Sequence, residues 1–570
     1  MSVSTLKMAV LLILAFMPVL SAGRLQAQQP LSPSVLGDQE FRRQQELERQ
    51  RRERREDETP DIHFQTKTVP KESLIYPASE SPCFVINEIT LVGDEAEKFQ
   101  WALREAKKAK GLCLGSRGLN TLMGRMQNLI VENGFVTTRL AVDHQDLTSG
   151  RLELTVIPGR VREIRLADGS GRHISLFTLL PVKPGDILNI RDVEQGLENL
   201  KRLPNAEVDI QVAPGDQNGE SDLVVFWKQG RPLRFSLGMD DSGSEYTGKM
   251  QGTATLSIDN SLGAADMFQA SFSHNLEGDG DCGTRAHSFY YSLPLGYNQL
   301  AFLSNYSNYH QTVAGHHVSY VYSGYSRHVS LELSRLVHRN GLSKTTLGSA
   351  AFVNSSRNYI DDVELEIQRR RMAGWEAFIR RHQYLGALTL DGELRYHRGT
   401  GAFQALRAPE EEVGEGTSRP ELLNFSLRGQ HPIHLGGQNF RYVGQWRQQW
   451  ALDRRLVYRD RFSIGGRYSV RGYDGDVTLA ADNGFTFRNE LGWNIADSGQ
   501  ELYAAFDIGR VWGGAMEEFL PGRTLRGGAL GLRGAVKGLQ YDLFMSTPIS
   551  RPNGFPGSDL VTGFSLVWNF

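Results

Sequence analysis

The chain has 570 residues, with 63 Lys plus Arg against 65 Asp plus Glu, and 60 Gly beside 27 Phe, 19 Tyr and 8 Trp. This near-neutral balance argues against a scaffold that tracks a nucleic-acid backbone, and a mean hydropathy of -0.37 excludes a bundle of transmembrane helices. Many strands joined by polar turns suit the mixture, which leaves a membrane β-barrel open.

Residues 1–27 read as a secretory signal: Lys7 supplies the positive end, Met8 to Leu20 the apolar run, and Ser21, Ala22, Gly23 and Ala27 the small residues. The run is too short to cross a hydrocarbon layer of about 30 Å. Cleavage is expected after Ala27, with Ala22 as the alternative. No comparably long apolar stretch follows, so an integral protein must cross with strands that close on themselves, because lipid leaves unpaired backbone edges unsatisfied. The exported chain retains Cys83, Cys113 and Cys282. A Cys83–Cys113 disulfide would close a loop of about 30 residues, worth roughly 3–4 kcal/mol on chain entropy, and an oxidising compartment permits it. Cys282 reads as a loop thiol, and neither a metal site nor a cofactor site is expected.

Residues 38–58 form a very polar helix candidate, with opposite charges three and four apart and only Phe41 and Leu47 as apolar content. Such a helix belongs in open solvent or in a water-filled, charged lumen. The following stretch carries Pro60, Pro70 and Pro77 and reads as a linker. Residues 82–158 read as a small mixed domain. A first strand holds Phe84, Ile86 and Ile89, helices cover 96–109 and 117–132, and strands run from Phe135 to Val142 and from Arg151 to Ile157. The plan repeats in shortened form: a strand from Val161 to Leu166, a helix carrying Ile190, Val193, Leu197, Leu200 and Leu203, then strands from Glu207 to Val212 and from Asp222 to Trp227. Tandem repeats of this kind suit docking, or serve as adapters without a ligand.

From Arg231 to Phe570 the texture becomes short alternating runs punctuated by Gly, Asn and Asp. Phe564, Leu566, Trp568 and Phe570 alternate with Ser565, Val567 and Asn569. Leu502, Ala504, Phe506 and Ile508 alternate with Glu501, Tyr503, Ala505 and Asp507, and Phe485, Phe487, Leu491 and Trp493 lie opposite Thr486, Arg488, Glu490 and Asn494. Period two with a continuous apolar side is expected where one face meets lipid and the other water. Sixteen strands leave about 21 residues for each strand and loop, and 14 or 18 strands fit nearly as well. A soluble β-sandwich array is the competing reading.

The most unusual loop runs from Phe462 to Asp476, with Gly-rich turns around Val470-Arg471-Gly472-Tyr473. Strand phase puts Glu490 and Asp507 on the inward face, where Arg471 could meet either carboxylate with a bidentate fork. An exposed hairpin turn with a solvated Arg is the plainer alternative. No GxSxG, HExxH or phosphate-cradling loop is present, His316-His317 is a bare doublet, and no enzymatic activity is expected.

In this order and at these distances the features resemble an outer-membrane transporter of the two-partner secretion family (TpsB type), within the wider superfamily of barrel-assembly proteins. The features are the charged N-terminal helix, the Cys83–Cys113 domain, the shortened second domain, the Val470-to-Tyr473 loop, Ala505-Phe-Asp-Ile-Gly-Arg-Val-Trp512 and the terminal Phe570. The resemblance implies an all-β transmembrane barrel of 16 antiparallel strands at 230–570. Two periplasmic polypeptide-transport-associated (POTRA) domains precede it at 80–158 and 159–229, with a tail and pore-plugging helix at 28–58 and a linker at 59–79. Arg471 falls on the lumenal Arg of the sixth extracellular loop, Gly472 beside it, Tyr473 on a position commonly Phe, Asp507 on the acidic strand partner, and Glu490 on a second acidic position. The implied function is export of a large partner exoprotein (TpsA type) through the outer membrane of a Gram-negative bacterium, the partner's N-terminal secretion domain being recognised by the periplasmic domains. That partner would be a haemolysin, an adhesin or a contact-dependent growth-inhibition toxin, the plug and the cysteine-bearing domain leaning toward the first and last. Further expected partners are outer-membrane lipid and lipopolysaccharide, and, during biogenesis, the barrel-assembly machinery and periplasmic chaperones; nucleic acid is not expected. The alternative function is assembly and insertion of other outer-membrane proteins.

Overall fold

The computed structural model describes residues 33–58, 61–64, 68–70, 73–278, 280–314, 318–452, 455–496, 498–514 and 517–570. The expected signal segment with its cleavage sites, and the His316-His317 doublet, lie outside them. Helix α1 spans Pro33–Glu58, starting before residue 38 because a proline is tolerated in a first helical turn.

In the first small domain the central strand Arg151–Ile157 pairs parallel with Glu88–Gly93 and antiparallel with Arg139–Ala141. Helix α2 (Ser116–Glu132) covers this sheet, burying Leu122, Met126 and Ile130 with Phe99, Leu152 and Leu154. Three local details differ from the sequence expectation. The first strand is interrupted, since Phe84–Val85 leaves the sheet to pair with Cys113–Leu114, beside the disulfide that joins Cys83 to Cys113. The helix expected over 96–109 begins as a tighter 3-10 stretch, Ala96–Ala102, before one α turn at Leu103–Ala106. The strand expected from Phe135 shrinks to Arg139–Ala141, because Phe135 packs edge-on against Phe99 at 5.0 Å rather than entering the ladder.

The second domain repeats the arrangement with Glu220–Gln229 between Arg160–Leu166 and Ala206–Pro214. Its helix α3 (Ile190–Lys201) starts at Asn189, whose side chain accepts from the Arg191 N–H at 2.9 Å. Val193, Leu197 and Leu200 on α3 and Trp227 on the central strand are buried together. The domain is fixed to the barrel end by several hydrogen bonds. The Ser175 N–H donates to the Gly263 carbonyl (2.7 Å), the Gly296 N–H to the Thr178 carbonyl (2.8 Å), Asn199 to the Gly296 carbonyl (2.8 Å), and Arg202 to Ser292 (2.6 Å).

The rest of the described chain forms a closed barrel of 16 long antiparallel strands, from Leu233–Asp240 to Val561–Asn569. Neighbours pair along much of their length, as between Asn298–Ala314 and Ser319–Arg339. Closure is shorter: the last strand meets the first only from Ser565↔Asp240 to Asn569↔Ser236. The Phe570 N–H extends the seam by donating to the Phe235 carbonyl at 2.9 Å. Side-chain alternation follows the pleat. Leu502, Ala504 and Phe506 are exposed on the outer surface while Glu501, Tyr503 and Asp507 are buried on the lumenal side.

Asp192 on α3 faces the barrel turn, where the Tyr297 hydroxyl donates to it. Burial pushes the Asp192 carboxyl up to about 6, against that hydrogen bond and with Asp186 adding to the rise. The docked state therefore holds a proton that a released domain would lose, so the Asp192 contribution to docking is fully present below about pH 4 and is lost as pH rises through about 6. Asp192→Asn is expected to remove this dependence. The measurement is the width of the distance distribution between spin labels at Asp209 and Gln438, in a Cys282→Ser background, across that pH range. The unsubstituted domain should broaden with rising pH and the Asn variant should not.

Candidate functional site

The lumen is occupied by α1, and its charge pattern explains how so polar a helix can be enclosed. Phe41 is 3 % exposed and lies under the Arg459 guanidinium, 3.7 Å from the ring centre. Most other contacts are polar: Thr284 donates to Glu40 (3.3 Å), Ser288 to Glu48 (3.2 Å) and Arg428 to Asp57 (2.6 Å), while Arg52 stands 3.8 Å from Glu393 and Arg447 3.5 Å from Glu46. Apolar burial along the helix is confined to Phe41 and to Leu36, which packs with Tyr246 and Tyr309, while Arg42 stacks on the Tyr458 ring, 4.3 Å from its centre. A cavity of about 780 Å³ lies alongside, lined on the helix by Glu48, Arg49 and Arg52 and on the wall by Glu376, Arg380 and Glu393. Among the described residues no group of three or more His, Cys, Asp or Glu is placed to hold a metal ion.

A second element enters the lumen from the opposite end. Between the strands Gln438–Ala451 and Asn483–Asn494 the chain folds inward as a short hairpin, Phe462–Ile464 with Leu479–Ala481. Ile464, Val470, Tyr473 and Leu479 from this loop bury themselves with Val511, Leu525 and Phe555. At the tip, the Arg471 Nε and Nη2 groups donate to the two Asp507 oxygens at 2.7 and 2.8 Å, and the Arg471 backbone N–H donates to the same carboxylate at 3.0 Å. Arg471 Nη1 reaches Glu490 at 2.8 Å, and Nη2 also approaches the Asn489 carbonyl at 3.3 Å. Asp507 is fully buried and Arg471 is 6 % exposed. The fork thus satisfies a carboxylate that would otherwise be strongly disfavoured away from water.

Glycines allow this approach. Gly472 has φ +104°, and a Cβ there would meet the Thr547 carbonyl oxygen at 2.4 Å. On the wall, a Cβ at Gly527 would lie 1.6 Å from the Arg471 carbonyl oxygen. The Tyr473 hydroxyl lies 2.9 Å from the Ser550 carbonyl and 3.2 Å from that of Arg526, and its ring packs edge-on to Phe555 at 5.7 Å. The structure therefore brings Arg471, Gly472, Tyr473, Glu490 and Asp507 into one cluster, and places Cys83 and Cys113 far from it along the chain in the first domain.

Sequence reasoning missed the extensions of this cluster. Arg533 bridges Glu490 and Glu501, and Arg441 grips Glu501 with bonds of 2.8 and 3.1 Å. Glu501 shares the inward phase of Asp507, so alternation was a usable signal. From the loop, Arg467 binds Asp241, whose carboxylate also accepts the Phe564 N–H at 2.9 Å. The inserted loop is tied in this way to the strand seam.

The linker is also held more firmly than its prolines suggested. Arg339, at the end of its barrel strand, donates to Glu194 (3.0 Å), Gln195 (3.1 Å) and Glu198 (2.8 and 2.9 Å) on α3, and to the Ile62 carbonyl of the linker. The same carboxylates accept the linker N–H groups of Ile62 (2.9 Å) and Phe64 (2.8 Å). Farther along, Asn128 of α2 both donates to and accepts from the backbone of Val69, at 2.7 and 3.0 Å. Burial pushes the Asp61 carboxyl up, but the hydrogen bond from His382 and the Lys344 ammonium outweigh it and hold it well below the usual carboxylate range. Acidic residues spaced four apart on α3 were the legible hint.

With this geometry established, comparison with known proteins is informative. Residues 219–534 match the family described as haemolysin secretion/activation protein ShlB/FhaC/HecB, residues 84–159 a ShlB-type POTRA domain, and residues 160–214 a POTRA domain. The outer membrane transporter CdiB-2 of Burkholderia pseudomallei is 33 % identical over 518 residues, covering 86 % of this chain and 87 % of that protein. The hemolysin transporter protein ShlB of Serratia marcescens is 24 % identical over 406 residues, covering 70 % of this chain and 71 % of its own length. Among solved structures, CdiB from Acinetobacter baumannii superposes with a TM-score of 0.83 at 30 % identity, covering 95 % of this chain and 100 % of that one.

The close approach at Gly527 yields a test of the loop's seating. Gly527→Ala should displace the Arg471 tip while leaving the barrel closed, because a Cβ 1.6 Å from the Arg471 carbonyl oxygen cannot be accommodated unless that backbone moves. Limited trypsin digestion of the purified chain should then cut after Arg467 or Arg471, bonds that the unsubstituted protein protects. Heat-modifiable migration on gels should remain unchanged.

Proposed function

Because this chain belongs to the haemolysin secretion/activation protein ShlB/FhaC/HecB family, it moves a large partner exoprotein across the outer membrane, and we propose how its own residues gate that movement. It is an integral outer-membrane barrel with periplasmic POTRA domains, and the family is one of transporters rather than enzymes. The exoprotein is recognised by the POTRA domains and threaded through the barrel.

In the proposed gating, α1 is the closed-state occupant of the lumen and leaves it when substrate engages. Its mixed-charge contacts support this reading, since exposed or partly hydrated ion pairs are exchanged with water at little net cost. Arg471, Gly472, Tyr473, Glu490 and Asp507 position the inserted loop, so that the lumen keeps a defined bore while a polypeptide passes. The two-pronged Arg471–Asp507 contact carries this assignment, because its buried carboxylate gives the loop one favourable seat. The Cys83–Cys113 disulfide stiffens the entry domain, and residues 80–158 and 159–229 act as separate docking units. Recognition uses β-augmentation: unfolded substrate adds a strand to an exposed sheet edge, for which Ala206–Pro214 and Arg139–Ala141 are the available antiparallel outer strands.

The partner in this reading is a haemolysin, an adhesin or a contact-dependent growth-inhibition toxin carrying an N-terminal secretion domain. Lipopolysaccharide surrounds the outer half of the barrel, and periplasmic chaperones deliver the chain to the barrel-assembly machinery during biogenesis. Folding of the exported portion outside opposes its return and gives transport direction without a nucleotide.

Arg471→Ala should impair export far more than membrane insertion, because it removes the guanidinium fork from Asp507 and Glu490 and leaves Asp507 with only the backbone N–H and Arg488 3.7 Å away, and breaking a buried pair of this kind costs about 3–5 kcal/mol. Secreted partner is compared at equal surface amounts of transporter, and unchanged secretion would remove the role given to the cluster. Deleting residues 33–58 should raise resting conductance in planar bilayers, with a smaller effect on secretion. A channel that stays closed after the deletion would contradict plugging.

A further inference from the structure

The second POTRA domain carries an apolar projection beside the barrel rim that neither gating nor substrate recognition uses. Phe177 is 77 % exposed and lies on the single helical turn Leu176–Leu179, whose neighbouring side chains Leu179 and Leu180 are buried in the domain core. The turn is held rigidly against two barrel turns. On one side of Phe177 the Ser175 N–H donates to the Gly263 carbonyl, and on the other the Thr178 carbonyl accepts from Gly296. His173 and Asn260 exchange contacts at 3.2 and 2.8 Å in the same region.

Those barrel turns belong to the lipid-facing rim. Leu295, the residue before Gly296, is 40 % exposed, and strand phase sets it on the outer face, opposite Ser288 and Thr284, which contact α1 in the lumen. Leu262, beside Gly263, is 68 % exposed. Phe177 and Leu262 therefore continue the apolar belt of the barrel onto the periplasmic domain. A cation accompanies them: the Lys183 ammonium lies 5.4 Å from the centre of the Phe177 ring, and Arg172 is exposed nearby on the same loop. An aromatic ring flanked by cationic side chains at a membrane rim matches the layered chemistry of a phospholipid surface, with apolar atoms below and phosphates above.

We propose that the loop 172–183 is a membrane foot: Phe177 and Leu262 enter the periplasmic leaflet while Lys183 and Arg172 meet phospholipid phosphates. The foot would fix the second domain at the rim independently of the linker clamp, and lipid would hold that domain even after α1 and the linker move. The occupant is the phospholipid leaflet rather than a protein, because Phe177 is hydrogen-bonded on both sides to barrel turns that carry the exposed Leu262 and follow the outward-facing Leu295, so its orientation is fixed beside the lipid-facing wall.

The test uses the full chain in a Cys282→Ser background with the Cys83–Cys113 disulfide intact. Phe177→Cys carries an environment-sensitive NBD fluorophore, and the chain is placed in nanodiscs of phosphatidylethanolamine and phosphatidylglycerol. The proposal expects blue-shifted emission that is lost when lipids with a spin label near the headgroup are included and that aqueous iodide barely affects. The same probe at Asp209→Cys, on the exposed outer strand of the domain, should show the reverse. Aqueous emission at residue 177, quenched by iodide and untouched by spin-labelled lipid, would overturn it. So would shielding that arises only on adding a secretion-domain fragment of the partner, which would assign the patch to substrate. Secretion itself is not the readout, so failure here leaves the transport function standing.

Discussion

One buried ion pair organises the inside of this barrel. Asp507 has no access to water, and within the lumen it is satisfied by the Arg471 guanidinium and by the Arg471 backbone N–H together. Using both side chain and main chain specifies the depth and the orientation of the loop tip at once. Net stability need not be gained, because desolvating both charges offsets much of their attraction. What the pair supplies is position. Around it, Gly472 and Gly527 remove the Cβ atoms that would hold loop and wall apart, and Glu490, Arg533, Glu501 and Arg441 extend alternating charge along the wall.

The plug obeys a different logic. Helix α1 is enclosed yet almost wholly polar, so its seat is built from many exchangeable contacts rather than from an apolar face. Such a seat is specific without being permanent. The linker that follows is tied by Arg339, Glu194 and Glu198 at the barrel mouth and by Asn128 on the first domain. In the proposed gating, movement of the plug would be coupled to the periplasmic domains through backbone groups of the linker, which any competing extended peptide could also offer.

Much of this was legible before the fold was in hand, for identifiable reasons. Period-two alternation around Leu502 to Ile508 and Phe485 to Asn494 reflects a physical boundary, apolar outside and wet inside, so strand phase placed Glu490 and Asp507 on the lumenal face. Local chemistry fared less well. Phe84 to Ile89 read as one strand, but the chain breaks there to meet Cys113–Leu114; Phe135 read as a strand residue, but packing against Phe99 removes it from the sheet. Arg339 and Arg467 were invisible as functional positions because their partners lie over a hundred residues away, on elements that only domain docking (Arg339) and barrel closure (Arg467) bring near. Gly527 looked like any other glycine until the Arg471 carbonyl was found against it.

The central claim is that substrate takes the space α1 vacates. Its most direct measurement ties the helix in place: Glu48→Cys with Ser288→Cys in a Cys282→Ser background, joined by disulfides through a short dithiol spacer, because the closed-state contact is made by the far end of the Glu48 side chain and a direct disulfide needs closer Cβ atoms. The account predicts that secretion of the partner stops when this bridge is oxidised and resumes when it is reduced, with surface amounts of transporter unchanged. Secretion that continues at the full rate with the bridge quantitatively closed would contradict it.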